Sequence, residues 1–410
     1  MKLARVLAAA EGTGDVGELQ VGGRTLVLKR PADVRHVLLV NQAVYEKTPR
    51  LIRARARRIL GHGLFTASNA EFPPMRRPVQ GVLRRTAVDG RGDVVASCAV
   101  ETLERWEGGQ VVELAGELWR LERRVRARLL FGADATDALE RMLTLRRLRF
   151  ARGLSAPVLL PAALPVAVRP SARRTLREGD RELTRLIERR RAEPRDDLLS
   201  ALLQIGIPDD QVRAEVAMVG TAGPESVTRA QAWTLWALAE HPEVAAGVRR
   251  EVDRVLEGRR PTGADRERLP YTEAVISESM RVRPPSPLLV RVASAADTLP
   301  TGTRVKRGDK VLICPAILHR DPSLFSDSER FDPGRFAPGA RRAHDHFEYL
   351  PFGAGPRACL GRSLAQLETV LMTAIVSQRF RLEPAGPGPG RDPEAPPAPM
   401  EPVHVRLTPR

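Results

Sequence analysis

The chain has 410 residues, of which 66 are lysine or arginine and 50 are aspartate or glutamate, so its formal net charge is +16. Its three cysteines are too few and too widely spaced for a disulfide framework, and no stretch approaches the ~18 uninterrupted apolar residues of a membrane span. We therefore expect a soluble, cytoplasmic protein without a membrane partner. A chain of this length can form two or three domains or one large α-rich domain.

The positive charge leaves two interpretations open. A basic excess suits nucleic acid, anionic lipid or an acidic protein as a partner. The arginines are scattered among acidic residues rather than grouped in blocks, so the excess can equally reflect genome composition. Charge alone therefore assigns no partner.

The N-terminal part of the chain predicts a short β region followed by helices. Residues 18–30 alternate apolar and polar side chains around two adjacent glycines, which predicts a β-hairpin. Helical patterns then dominate from residue 31 to about residue 257. Residues 153–174 are apolar but contain four prolines and cannot form one regular helix. This segment is either a mobile lid over a binding site or a covered connection between helices.

A long helical pattern from about residue 209 to residue 240 contains a proline near its middle. At ~1.5 Å per residue such a helix would be roughly 45 to 50 Å long and would cross the whole molecule. Pro224 lacks an N–H and would clash with the carbonyl of Gly220. The pattern therefore predicts a kink or an opened turn at this position, or alternatively two separate helices.

The remaining third of the chain predicts strands and coil. Before these strands, Glu278 and Arg281 lie three residues apart on a predicted helix, so their side chains lie on the same face and can form an ion pair. Residues 288–315 predict short strands, with a hairpin candidate at residues 304–315, and residues 319–351 predict a coil. A final strand alternates polar residues with Val403, Val405 and Leu407. Together these patterns predict a mainly α protein with a minor β region.

One cysteine lies in a Gly/Pro-rich turn directly before a helical pattern. Cys359 is part of PFGAGPRACLG, and residues 362–379 contain neither glycine nor proline. A thiolate at a helix N-terminus is stabilised by the helix dipole and by unpaired N–H groups, which predicts a lowered pKa for the thiol. Gly353, Gly355 and Gly361 allow a tight turn and the close approach of a flat ligand. The turn therefore suits a nucleophile or an anionic metal ligand, and it has no second cysteine for a redox dithiol.

Other candidate motifs are weak. Residues 344–346 read His-Asp-His, but two ligands on a flexible segment make a poor metal site, so we interpret them as a solvated loop. The chain contains no HExxH, dinucleotide fingerprint or Walker loop. The sequence therefore indicates no site for a nicotinamide or a flavin.

The cysteine turn resembles the haem-binding loop FxxGxRxCxG of the cytochrome P-450 superfamily, at residues 351–361. It matches at every fixed position: Phe352, Gly355, Arg357, Cys359 and Gly361. The resemblance implies that the Cys359 thiolate is the iron ligand of haem b and that Arg357 faces a haem propionate. It also implies haem contacts from Phe352, Gly353, Leu360 and Gly361.

Two further segments resemble the structural motifs of the same family. Glu278 and Arg281, followed by Arg-Pro-Pro, are similar to the ExxR helix. FDPGRF at residues 331–336 resembles the segment that adds Arg335 to this ion network. The resemblance implies a buried network behind the cysteine loop with a structural role.

AGPES at residues 222–226 resembles the AGxET motif of the family's oxygen-binding helix. By this resemblance Ala222 and Gly223 leave room for dioxygen and substrate, and the catalytic pair Glu225 and Ser226 relays protons. Ser226 replaces the usual threonine, so the hydroxyl donor is retained but the methyl group that restricts its rotamer is lost. We expect retained oxygen activation with looser coupling.

Two more arginines are expected at the haem propionates by resemblance. Arg291 lies ten residues after Arg281, where the family places such an arginine. Arg76 lies on the helix that corresponds to the WxxxR or HxxxR pattern, with Phe72 where Trp or His is expected. The choice between Arg76 and Arg77 stays open, as does the alternative of an exposed arginine pair.

The resemblance covers residues 1–410 and implies one domain of the cytochrome P-450 fold. It implies a monomeric monooxygenase that uses dioxygen to hydroxylate or epoxidise a small apolar organic substrate, in secondary metabolism, with no nucleic acid partner. Electrons would come from NAD(P)H through a separate ferredoxin and its reductase. A positive docking face for an acidic carrier would include arginines near the cysteine loop: Arg341, Arg342, Arg357 and Arg362.

Two other functions remain open at this stage. Ser226 and Pro224 keep a peroxide-driven or non-oxygenating haem-thiolate enzyme possible, such as an isomerase, dehydratase or cyclase. A basic helical nucleic-acid-binding protein would contain no haem and would bind DNA with strong salt dependence. Residues 51–72 and 146–174 are expected to line the substrate pocket, and the low aromatic content favours an aliphatic or bulky alicyclic substrate.

Overall fold

The computed structural model describes residue 6 and residues 14–20, 23–47, 50–155, 170–340, 347–388 and 400–410, without the side chains of residues 50, 51, 150–155 and 222. Part of the predicted lid, residues 156–169, lies outside the described residues. So do residues 341–346, which include the His-Asp-His sequence and two of the proposed docking arginines.

Helices make up most of the described chain. They are α1 (Pro31–Arg35), α2 (Arg50–Leu60), α3 (Phe72–Val79), α4 (Arg85–Asp89), α5 (Gly92–Leu103), α6 (Leu114–Phe131), α7 (Asp137–Ser155), α8 (Pro170–Ala192), α9 (Leu198–Gln204), α10 (Asp209–Glu240), α11 (Pro242–Leu256), α12 (Pro270–Val282), α13 (Pro315–Leu318) and α14 (Arg362–Arg379). A π-helix (His36–Val40) continues α1, and 3-10 turns occur at Gly132–Asp134, Gly263–Arg268 and Pro333–Phe336.

The strands form three small sheets. They are β1 (Val16–Gln20), β2 (Arg24–Leu28), β3 (Tyr45–Glu46), β4 (Val111–Glu113), β5 (Leu289–Ala293), β6 (Asp297–Thr298), β7 (Arg304–Val305), β8 (Lys310–Ile313), β9 (Phe380–Pro384) and β10 (His404–Pro409). Their orders are β1-β2-β8-β5-β3, β4-β10-β9 and β6-β7. The predicted mainly α fold with a minor β region is confirmed.

Two hairpin predictions have different outcomes. The first is confirmed, because β1 and β2 pair antiparallel with Gln20 opposite Arg24. The second, at residues 304–315, is wrong: β7 pairs with β6, and β8 pairs with β2 and β5. Two short strands separated by a turn satisfy their backbone groups with whichever neighbour lies alongside, and here each has a separate neighbour.

The long helix α10 crosses the main hydrophobic core and carries the candidate oxygen site. It packs on α6, α12 and α14, and it remains α-helical from Asp209 to Glu240, including Pro224. The alternative of two separate helices is therefore wrong, and no opened turn interrupts the helix. Packing on both sides stabilises a proline position that an isolated helix would not tolerate. Among the described residues, no helix is both long enough and apolar enough to cross a membrane.

Candidate active site

The cysteine loop is a set of tight turns closed by backbone hydrogen bonds. The N–H of Gly353 donates to the carbonyl of Leu350 at 3.1 Å, and the N–H of Cys359 donates to the carbonyl of Phe352 at 2.9 Å. Gly353 and Gly355 have φ angles of 66° and 70°, which residues with a Cβ rarely adopt. The loop therefore holds Cys359 in a fixed position shortly before α14.

Gly355 is also required for packing. A Cβ at this position would lie 2.0 Å from the carbonyl oxygen of Leu38 in the π-helix. No side chain fits into that distance without moving backbone. The cysteine loop is thus packed directly on the backbone of the π-helix.

Cys359 is exposed as a residue, and protein atoms nevertheless surround its sulfur closely. Burial raises the pKa of this thiol. The N–H of Gly361, which donates to the sulfur, and the charges of Lys47, Arg76 and Arg126 lower the pKa by less. The prediction of a lowered pKa is therefore wrong for the protein chain alone, because burial outweighs the helix terminus. A bound metal ion would deprotonate the thiol outright.

A buried ion network lies behind the loop. Arg281 forms a bidentate pair with Glu278 at 2.7 and 2.8 Å, and both side chains are fully buried. Arg335 joins them, with its Nε 3.6 Å from a Glu278 oxygen. Burial lowers the pKa of His319 to about 3, and its Nε2 accepts the N–H of Leu350 at 2.8 Å. The network thus connects through Leu350 to the first turn of the cysteine loop.

Two arginines reach the loop from its own turn and from α3. Arg76 donates to the carbonyl of Ala358 at 2.8 Å, whereas Arg77 is exposed. Arg357 donates to Asn69 and to the carbonyl of Ala67 at 3.1 and 3.0 Å, and its buried Nη1 has no hydrogen-bond partner. The structure therefore brings Arg76 rather than Arg77 to the loop. Arg357 is half-buried, and its part in a docking surface stays a prediction.

Arg291 and Lys47 join Arg76 and Arg357 in a cation cluster, whose four members form no ion pair with a carboxylate among the described residues. Arg291 is 7% exposed and donates only to the carbonyl of Val290, at 2.9 Å, within the described chain. Burial, and then the charge of Arg357, lowers the pKa of Arg291 to about 10. Lys47 lies 4.2 Å from the ring centroid of Phe65, and burial lowers its pKa to about 8. No motif marks Lys47 in the sequence, so sequence reasoning missed it.

On α10, Gly223 lies beside Arg126 of α6. A Cβ on Gly223 would lie 3.3 Å from Nε of Arg126, so the missing side chain accommodates α6. That Ala222 and Gly223 leave room for dioxygen and substrate stays a prediction. The backbone of Ala222 continues the helix, and its side chain is not among those described.

Glu225 and Ser226 follow on the same helix. Glu225 accepts from Arg147 of α7 at 3.0 Å and from Arg229 at 3.3 Å. The guanidinium of Arg147 also lies 3.9 Å from a ring centroid of Trp119. The Ser226 hydroxyl donates to the carbonyl of Gly223 at 3.1 Å. The acid is therefore held toward α7, and the hydroxyl is held on its own helix.

A second buried ion cluster, which sequence reasoning also missed, lies between α6, α10 and α14. Arg126 forms a bidentate pair with Glu368 at 2.7 Å to each oxygen and lies 3.2 Å from Glu122, which accepts from Gln231. Burial and the neighbouring Glu368 charge raise the pKa of Glu122 well above its ordinary value. These residues come from three segments that are distant in sequence, so no local sequence pattern predicts the cluster.

Comparison with known proteins identifies the family. The cytochrome P-450 family profile matches residues 5–405. The chain is 32% identical over 393 residues to cyclooctatin synthase of Streptomyces melanosporofaciens, covering 92% of this chain and 85% of that protein. It is 28% identical to pentalenene oxygenase of Streptomyces avermitilis, covering 92% and 86%. A crystal structure of a cytochrome P-450 haem domain superposes with a TM-score of 0.84 at 23% identity, over 100% of this chain and 93% of that chain.

The cation cluster fits the cofactor of this family. Haem b carries two carboxylates, and the partnerless Nη1 of Arg357, together with the buried Arg291, offers donors for such groups. The glycines of the cysteine loop allow a flat ring system to approach Cys359. The chain belongs to the cytochrome P-450 family, and it is a haem-dependent monooxygenase.

Proposed function

We propose that Cys359 binds the haem iron through its thiolate. The observation that carries this assignment is a rigid loop that presents Cys359 among cations without carboxylate partners. Thiolate ligation supplies the dioxygen chemistry, because it favours O–O cleavage. The haem carboxylates would be held by arginines from three segments, and the ring would contact residues of the loop. The arginines are Arg76, Arg291 and Arg357, and the loop residues are Phe352, Gly353, Leu360 and Gly361.

Glu225 and Ser226 supply protons in this proposal. The Glu225 carboxylate accepts from Arg147 of α7 and precedes Ser226 directly on α10. The Ser226 hydroxyl can rotate away from the carbonyl of Gly223, since serine lacks the methyl group that fixes threonine. Free rotation leaves the hydroxyl in the required orientation for less of the time, which gives looser coupling.

The substrate has an apolar, aliphatic or alicyclic body and is hydroxylated or epoxidised. The relatives named cyclooctatin synthase, cyclooctat-9-en-7-ol 5-monooxygenase and pentalenene oxygenase support a role in bacterial secondary metabolism. Helices α2 and α7 both pack on α10 and enclose the region where a substrate would bind.

The proposed enzyme is one cytoplasmic, monomeric domain that spans residues 1–410 and receives electrons from a ferredoxin and its reductase. Arg362 is exposed beside the cysteine loop and can contact an acidic carrier. Reversing the charges of Arg341 and Arg342 should lower carrier-driven turnover and its salt dependence. Unchanged turnover and salt dependence would contradict this docking face.

The absorption spectrum of the reduced, carbon monoxide-bound protein tests the iron ligand. The parent should show the band of a thiolate-ligated haem, Cys359→Ser should lose it, and Cys98→Ser should keep it. A histidine-type band in the parent, or a thiolate band in Cys359→Ser, would exclude the assignment.

Ser226 and Pro224 favour one alternative, a peroxide-driven or non-oxygenating enzyme. Product formation without dioxygen and without an electron donor would support that alternative and oppose ordinary monooxygenation.

A further inference from the structure

Helix α2 is rich in arginine, and most of its described arginines have partners. Its sequence RLIRARARRIL contains five arginines in eleven residues. Arg53 pairs with Glu46 at 3.2 Å, and Arg57 pairs with Glu71 at 2.5 Å. Arg55 differs, because it forms no ion pair or hydrogen bond within the described residues, and its Nη2 is buried.

Helix α7 repeats this contrast. Arg146 pairs with Asp180 at 2.5 Å, and Arg147 pairs with Glu225 at 3.0 Å. Arg149 differs because it forms no ion pair in the part of the chain that the structure describes; its buried Nε has no hydrogen-bond partner, and neither has the Nε of Arg146 or Arg147. Burial, and then the charge of Arg146, lowers the pKa of Arg149.

The two partnerless arginines flank the same helix contact. Arg146 donates to the carbonyl of Ile59 at 3.3 Å, which fixes α7 against α2. Arg55 precedes Ile59 by one turn on the same side of α2, and Arg149 follows Arg146 by three residues on the same side of α7. Ile52, on that side of α2, adds an apolar surface beside Arg55.

This contact lies on the N-terminal half of α10. The loop after α2 lies on α10, since a Cβ on Gly63 would be 2.8 Å from the Ala214 side chain, and the N–H of Leu64 donates to Glu215 at 2.8 Å. Helix α7 packs on α10 as well. The two arginines therefore lie on helices that cover the region proposed to bind substrate.

Among the described residues, neither arginine forms an ion pair with a carboxylate, and Glu215 of α10 accepts from the N–H of Leu64 instead. Described carboxylates next to this contact, those of Glu46, Glu71, Asp180 and Glu225, are paired with other arginines. The segment that follows α7, residues 156–169, contains no aspartate or glutamate. A buried guanidinium nitrogen without an acceptor is costly, and a carboxylate satisfies it with short, charge-assisted hydrogen bonds.

We propose that Arg55 and Arg149 bind a carboxylate carried by the substrate, while Ile52 and Ile59 contact its apolar body. The inference rests on the proposed function and narrows its substrate class to an apolar acid. A carboxylate matches the planar guanidinium fork, which is why arginine rather than lysine suits the position.

Matched acid and alcohol pairs test this proposal. Dodecanoic acid is compared with 1-dodecanol, and adamantane-1-carboxylic acid with 1-adamantanemethanol, by calorimetry and by the change in haem absorption on binding. At least one acid should bind about tenfold more tightly than its alcohol, the size expected for a hydrogen bond to a charged group. Arg55→Gln and Arg149→Gln should each remove most of this preference and leave the alcohol's affinity unchanged. Arg58→Gln, an exposed position on α2, is the control and should keep the preference.

Equal affinity for acid and alcohol in both pairs, no measurable binding of either acid, or a preference that survives both substitutions overturns the proposal. The reduced, carbon monoxide-bound spectrum of each sample separates this result from a failure of the proposed function. A thiolate-type band with no acid preference rejects only the carboxylate site, whereas a missing band rejects the iron ligand.

Discussion

Two regions beside α10, the buried Glu278–Arg281 network and the contact between α2 and α7, differ in how completely their charges are paired. In the network, Arg281 is bound by Glu278 and by three backbone carbonyls, from His319, Ser328 and Arg330. At the contact between α2 and α7, Arg55 and Arg149 have buried nitrogens without partners in the described structure. A network in which every charge has its hydrogen-bond partners stabilises one geometry, whereas donors without partners can bind an acceptor on a ligand. The first region therefore fixes the cysteine loop, through the hydrogen bond from Leu350 to His319.

The largest expected effect comes from breaking the complete network. Glu278→Gln leaves the Arg281 charge buried without its anion, which costs about 3–5 kcal/mol of unfolding free energy. Urea unfolding and the haem content of the purified protein measure it. Glu178→Gln, which removes an exposed and solvent-screened pair with Arg174, should lower the unfolding free energy far less. Equal losses in the two variants would contradict the contrast between the regions.

Burial of Glu215 should make stability depend on pH. Burial raises the pKa of Glu215 to about 7, because it outweighs the hydrogen bonds from the N–H of Leu64 and from Gln211, which lower the pKa. The folded protein then binds more protons than the unfolded chain between about pH 4.5 and pH 7, so the free energy of unfolding falls as pH rises through this window. The total loss is about 3 kcal/mol.

Glu215→Gln cannot titrate, and it tests this slope. Its melting temperature should change less between pH 5 and pH 8 than that of the parent, with the variant more stable than the parent above pH 7. Parallel melting curves for both proteins across this range would show that Glu215 does not titrate there.

The cysteine loop allows a comparison of two glycines. Gly353→Ala and Gly355→Ala each place a Cβ at positive φ, which costs about 1–2 kcal/mol. Only Gly355 faces backbone at 2.0 Å, whereas the nearest atom to a Cβ on Gly353 is a Leu289 methyl at 3.8 Å. Gly355→Ala should therefore lose about 1–3 kcal/mol more in denaturant unfolding. A larger loss in Gly353→Ala would contradict the observed packing of the loop.

The smallest expected change concerns Ser226. Ser226→Thr restores the methyl that limits rotation and should raise the product formed per NAD(P)H by about twofold. Ser226→Ala removes the hydroxyl and should lower this ratio. Equal coupling in all three proteins would exclude Ser226 from proton delivery.

Local motifs explain what could be predicted from the sequence. Each motif is local, because the ExxR pair lies within residues 278–281 and the cysteine loop within residues 351–361, so their geometry follows from helix periodicity and turn formation. The β1–β2 hairpin was predictable for the same reason. The true pairing of residues 304–315 was not predictable: they form no hairpin, because β7 pairs with β6 and β8 pairs with β2 and β5.

The sequence by itself determined the family, the mainly α fold, the cofactor and the order of the motifs along the chain. Only the tertiary structure decided the direction of the Cys359 pKa shift, the position of Arg76 rather than Arg77 at the loop, and the packing of Gly223 on Arg126. It also decided which arginines have anionic partners. Burial and ion pairing depend on which segments meet in space, and a sequence pattern records only the spacing of residues within one segment.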